Sequence, residues 1–151
     1  MISIERVLPG TVPAGIVRQF LREAFAAYPE AVGELDLVDW PEKLASRAEC
    51  FCLRREDGTL SAALFAYLND MLTRVGFIPF ICTLPGCEKE VAYKMHEAYV
   101  VRARKLGMHT LRLEVVKSNY HAHRFYLRQG YVVTEDRADR NRFLMELNLR
   151  V

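Results

Sequence analysis

The chain has 151 residues, 51% of them apolar and 26% charged, with a formal net charge of +2 at pH 7. That size suits a single domain over residues 1–151, and so small a charge gives no electrostatic reason to expect a nucleic-acid partner. No stretch reaches the ~18 consecutive apolar residues of a membrane helix, and MISIERVLPG at the start lacks the basic and apolar run of a signal peptide, so a cytoplasmic protein with no membrane partner is expected.

Residues 3–7 can form a first strand, stopped by Pro9 and Gly10. Val17, Phe20, Leu21, Ala24, Phe25 and Tyr28 then recur at the spacing of one helical face. Thr11 is the expected N-cap of that helix, Pro13 falls in its first turn, and Pro29 lies beyond its end. A second short helix is predicted over 39–47, with Pro41 in its first turn. Apolar runs at 50–55 and 60–68 meet at Asp57-Gly58, a dipeptide suited to the positive φ angles of a tight hairpin. After a turn at Asn69-Asp70 a third strand is predicted over 75–84. Pro79 removes one ladder donor inside it, which predicts a bulge or a local splay.

The longest predicted helix covers 88–106, where Val91, Met95, Ala98, Tyr99, Ala103 and Leu106 share a face and Gly107 stands at the left-handed cap position. Residues 109–115 alternate Leu111, Leu113 and Val115 with Arg112 and Glu114, the pattern of a strand with two distinct faces. A helix over 119–129 is closed by Gly130, and strands at 131–134 and 143–149 finish the chain, joined by the charged segment 135–142. This order predicts an α/β (α+β) fold: a single mixed, mostly antiparallel sheet with a central parallel β-α-β crossover and helices on both faces.

Cys50 and Cys52, two apart in a strand, share a face. With Cys82 and Cys87 they form no CxxC pair and no zinc-ligand spacing with the four histidines, so no metal site is expected and buried free thiols are favoured. Arg102, Arg104 and Lys105 cluster where a helix end favours cations.

The segment LRLEVVKSNYHAHRFYLRQGY, residues 111–131, resembles a signature of the GNAT family of N-acetyltransferases through Leu113, Glu114, Val115, Asn119, Ala122, Phe125, Tyr126, Gly130 and Tyr131. Upstream, ICTLPG followed by a long helix ending in LGM is similar to the family's fourth strand and third helix, so the resemblance covers roughly residues 60–149. It implies the GNAT acyl-CoA N-acyltransferase fold and transfer of an acetyl group from acetyl-CoA to a primary amine of a small-molecule or peptide acceptor. It also implies that two parallel strands splay, with Ile81, Cys82 and Thr83 binding the pantetheine arm and Asn119 contacting the cofactor. Tyr126 would be the general acid for the departing thiolate and Glu114 the base for the amine, a spacing similar to that in bacterial ribosomal-protein N-terminal acetyltransferases.

The residues leave other roles open. Tyr126 suits a core position, Glu114 an ion pair with Arg112 or Lys117, and Asn119 a helix N-cap. The family's glycine-rich phosphate loop is replaced by Pro85, Gly86, Cys87, Glu88, Lys89, Glu90, Val91 and Ala92, in which only Ala92 fits well. Lys89, Val91 and Ala92 are the candidate phosphate contacts, with Lys94, Arg124 and Arg128 as further cations. Glu88 and Glu90 oppose an anion there, although acidic residues also suit a helix's first turn. An acetyl-CoA-dependent N-acetyltransferase is the chosen reading. The alternatives are a degenerate GNAT-like ligand-binding or interaction module that no longer binds acetyl-CoA, and an enzyme using another acyl donor. Glu34, Asp36 and Asp39 could draw in an amine, and an exposed late strand at 143–149 could support a homodimer.

Overall fold

Seven strands form one sheet in the computed structural model, which describes residues 2–29 and 39–150. In chain order the described elements are β1 (Glu5–Val7), α1 (Ala14–Ala27), α2 (Trp40–Arg47), β2 (Glu49–Arg54), β3 (Leu60–Tyr67), β4 (Val75–Thr83), α3 (Glu90–Lys105), β5 (Thr110–Val116), α4 (Tyr120–Gln129), β6 (Val132–Arg137), a 3-10 turn (Ala138–Arg140) and β7 (Arg142–Asn148). The spatial order is β1-β2-β3-β4-β5-β7-β6, and only β4 and β5 run parallel. This is the mixed sheet with one parallel crossover that the element order predicts. No helix among the described residues is long and apolar enough to cross a membrane.

Strand alternation divides the apolar residues between two cores. Phe51, Leu64, Ile78, Leu111, Leu113 and Met145 meet Val91, Met95 and Tyr99 of α3 and Tyr126 of α4 on one face. Cys50, Cys52, Ala63, Phe65 and Phe80 meet Val17, Phe20 and Leu21 of α1 and Leu44 of α2 on the other. Each large side chain fully withdrawn from water contributes about 1.5–3 kcal/mol. These stripes therefore set which helix covers which part of the sheet. All four cysteines are free, with Cys50 and Cys52 buried on one face as their spacing requires.

Both long C-terminal helices end as their glycines predict. In α3 the Met108 N–H bonds the Ala103 carbonyl and the Gly107 N–H that of Arg104; in α4 the Tyr131 N–H bonds the Tyr126 carbonyl and the Gly130 N–H that of Leu127. These are paired Schellman bonds around residues at φ +79 and +102. The α3 cations serve the fold: Arg102 bonds the carboxylate of Glu49 at 3.0 Å and Arg104 the carbonyl of Leu149 at 3.1 Å. Glu49 also takes Arg6 at 3.2 Å, so one partly buried carboxylate ties β1, β2 and α3 together.

Several boundaries differ from the sequence expectation. Helix α1 starts at Ala14 with Pro13 as its N-cap, in place of Thr11. Helix α3 starts at Glu90, because the carbonyl of Glu88 is held by the Val91 N–H in the preceding turn. The segment 135–142 is largely strand and turn: β6 continues to Arg137 before the 3-10 turn. Strand β7 is no exposed edge, since it pairs β5 on one side and β6 on the other. At this end of the sheet the edge is β6, whose exposed charges leave no apolar pattern to read. Glu34 and Asp36 lie outside the described residues.

His96 is the one histidine in the core, 3% exposed, with Nε2 2.9 Å from the Tyr131 hydroxyl. Burial lowers its pKa to about 4, so it is neutral at physiological pH. The folded pKa lies below the ordinary value, hence this contribution to stability is complete above about pH 6.5 and is lost as pH falls toward 4. We expect His96→Phe to remove a contribution on the order of 2 kcal/mol from the stability difference between pH 7.5 and pH 4.5, measured by denaturant unfolding at both values.

Candidate functional site

The parallel ladder between β4 and β5 runs from Val75–Thr110 to Ile78–Leu113 and then stops. Beyond it, β4 stays with β3, pairing Phe80 with Phe65 and Thr83 with Ala62, while β5 stays with β7, pairing Glu114 with Leu144 and Val116 with Arg142. The two strands therefore diverge. The break coincides with a bulge: Phe77 pairs Tyr67 and Phe80 pairs Phe65, which leaves Ile78 and Pro79 opposite Ala66. Proline's missing donor makes that position the natural place for pairing to end.

The gap opens into a cavity of about 400 Å³. Ile81, Cys82 and Thr83 form one wall, Glu114 and Val115 the other, and Asn119, Ala122, Phe125 and Tyr126 close it from the α4 side. Ala92 of α3 and Tyr28 at the end of α1 complete the lining. The Leu84 N–H bonds the Ser61 carbonyl, so strand alternation turns the backbone polar groups of Cys82 toward β3 and those of Ile81 and Thr83 toward the gap. Groups of that kind need partners, and an extended ligand carrying amides can provide them.

Of Tyr126, Glu114, Ile81, Cys82, Thr83, Lys89, Val91, Ala92 and Asn119, seven line this cavity and two do not. Lys89 sits exposed at the N-cap of α3. Val91 is 1% exposed in the core, and its N–H is taken by the Glu88 carbonyl at 3.1 Å. The segment before α3 folds as a Pro85-Gly86 turn closed by the Cys87 N–H on the Leu84 carbonyl, while the Cys87 thiol donates to the Ser61 carbonyl at 3.2 Å. Glu88 and Glu90 are exposed and outside the cavity lining. Arg128 reaches Tyr93 at 3.4 Å, and Tyr93 stacks edgewise on Phe125 with ring centres 5.1 Å apart, which joins α3 to α4 beside the opening.

Tyr126 is both a core residue and a wall of the cavity, 5% exposed, with Phe125 and Tyr131 rings 5.5 and 5.6 Å away. Burial raises its pKa above the ordinary phenol value, so it holds its proton through the physiological range. Glu114 is 12% exposed and accepts Arg137 at 2.7 Å and Arg140 at 3.1 Å. The partners suggested by sequence are engaged elsewhere: Arg112 with Glu146 at 2.9 Å, and Lys117 with Asp136. Cavity residues that the sequence reasoning missed include Tyr28, His121 and Arg142. Tyr28 carries a helix-face signal that reads as core, and Arg142 reaches the site only through the β5–β7 register.

A bulged strand that parts from its parallel neighbour over a ligand-sized gap is the architecture of acyl-CoA N-acyltransferases. Residues 17–131 match the model of the acetyltransferase (GNAT) family, and the chain belongs to that family of N-acetyltransferases, whose members generally use acetyl-CoA. No curated protein matches the chain. Among solved structures, an acetyltransferase of the GNAT family from Staphylococcus aureus superposes with a TM-score of 0.75 at 10% identity, covering 98% of this chain and 100% of that one. The ribosomal-protein-S18-alanine N-acetyltransferase of Escherichia coli gives 0.69 at 17% identity, over 99% and 94%. N-acetylglutamate synthase from Neisseria gonorrhoeae, complexed with coenzyme A and N-acetyl-glutamate, gives 0.74 at 10% identity, over 100% of this chain and 36% of that one.

Asn119 caps α4 by accepting the Ala122 N–H at 3.2 Å. Loss of such a cap costs about 1 kcal/mol. Asn119→Ala should lower stability by that amount in denaturant unfolding of the free protein, whereas Asn119→Asp, which preserves the cap, should stay close to the parent.

Proposed function

We propose that the chain transfers an acetyl group from acetyl-CoA to a primary amine inside the cleft between β4 and β5. The observation that carries this reading is the parting of the two strands after Ile78 and Leu113, with Tyr126 on the wall of the resulting cavity. Acetyl-CoA, when bound, supplies an acetyl thioester activated toward amines. Backbone groups of Ile81 and Thr83 would hold its pantetheine arm, with Cys82, Ala92 and Asn119 forming the adjoining surface. Its phosphates would meet Lys89 and the first turn of α3, with Lys94, Arg124 and Arg128 as nearby cations and Val91 acting only through its backbone.

Tyr126 keeps its hydroxyl protonated and presents it to the cavity, the arrangement a general acid needs for a departing thiolate. Glu114 faces the same cavity and would take the ammonium proton through water. A carboxylate offers about four lone-pair sites, and Arg137 and Arg140 leave part of that capacity to a bridging water. A second reading, a ligand-binding or interaction module without acetyl-CoA, draws on the exposed Glu88 and Glu90 beside the start of α3.

Thermal melting with acetyl-CoA separates the two readings. Saturation at 100 times the dissociation constant adds about 2.7 kcal/mol, and no shift at millimolar ligand would discard the transferase. If binding is found, Tyr126→Phe should lower kcat by about 10²-fold while acetyl-CoA affinity changes less than about twofold. Glu114→Gln should lower kcat by a similar factor if the carboxylate is the base. A drop in Tm with unchanged kcat would instead leave Glu114 only as an anchor for the two arginines.

A further inference from the structure

We infer that the acceptor is a free α-amino acid, recognised through both its ammonium and its carboxylate by Glu114 and Arg142 at the cavity mouth. This rests on the transferase reading above for its chemistry, though not for its geometry. Strand register places Glu114, Val116, Arg137 and Arg142 on one face of the sheet, away from the core that α3 and α4 cover. On that face α1 and α2 pack on β2, β3 and β4, so the cavity mouth beside β5 and β7 lies next to this charged surface.

Two features of that surface call for an anion. Arg142 lines the cavity and has no ion-pair partner among the described residues, and it sits directly across the ladder from Arg137. Like charges directly opposite one another on neighbouring strands are unfavourable, and no carboxylate among the described residues pairs with Arg142. Glu114 is held by Arg137 and Arg140; Glu135 and Asp139 lie out on the exposed rim, 3.5 Å from Arg137 and 3.9 Å from Arg140. A planar guanidinium binds a carboxylate through paired hydrogen bonds, and a carboxylate seated on Arg142 would relieve the cross-strand repulsion. Glu114, which also lines the cavity, then faces the ammonium end. A polyamine or a neutral amine would leave Arg142 as it stands.

The test compares the twenty α-amino acids with their carboxamides in two assays: thiol release from acetyl-CoA, and melting of the protein alone with the corresponding N-acetylated acids and amides. At least one acid should exceed its amide in kcat/KM by about tenfold or more, and its N-acetyl form should raise Tm where the amide form does not. In Arg142→Gln both preferences should collapse, through the KM of the acceptor. Melting shifts from acids without any turnover would uphold this site while ending the transferase reading. Turnover in which amides equal acids would do the reverse. An Arg142→Gln protein that loses affinity for acetyl-CoA, and not for the acceptor, would assign the arginine to the donor and overturn the inference.

Discussion

The constraint on which the site depends is the divided loyalty of two neighbouring strands. Strand β4 is bound along its length to β3 and β5 to β7, and they share a ladder only from Val75–Thr110 to Ile78–Leu113. Closing the remainder would require β4 to carry a regular register through Ile78 and Pro79, where the bulge and the missing proline donor forbid it. The opening is thus built in by backbone chemistry before any ligand arrives, and α3 and α4 are pinned against its edges by the same core that packs the sheet.

Polar-tipped rings lie in that core beneath the site. His96, Tyr99, Tyr126 and Tyr131 form a chain of ring contacts, His96 to Tyr99 at 6.0 Å, His96 to Tyr131 at 5.4 Å and Tyr131 to Tyr126 at 5.6 Å. Most of these polar ends have a role, His96 with Tyr131 and Tyr126 facing the cavity, but the Tyr99 hydroxyl has no partner among the described residues. It lies against β4, where a Cβ built on Gly76 would come within 2.9 Å of it and closer still to Leu111. The backbone of β4 is drawn tight to α3 just before the bulge, so the strand is held firmly on one side of the break and released on the other.

Much of this was legible in the sequence where a single residue's own chemistry decides the outcome. Pro79 marks the bulge, Gly107 and Gly130 mark the caps, and Asn119 caps α4 from the position its type suggests. Reading failed where the outcome depends on residues far apart in the chain. The partners of Glu114 lie 23 and 26 positions away, and nothing local distinguishes Arg137 and Arg140 from Arg112 or Lys117. Strand β6 carries Glu135, Asp136 and Arg137 on an exposed edge, where no buried face imposes alternation, so its second half reads as a loop. Lys89 and Val91 were chosen by their place in a family pattern, and they lie outside the cavity lining.

The hydrogen bond between His96 and Tyr131 reaches further than the core it joins. The N–H of Tyr131 closes α4 on the carbonyl of Tyr126, so the imidazole, the helix end and the cavity tyrosine form one mechanical series. Charging the imidazole near pH 4 would place a buried cation in that series, at a cost set by the water it has lost. Acid would then bear on the seat of α4 as well as on the core behind it.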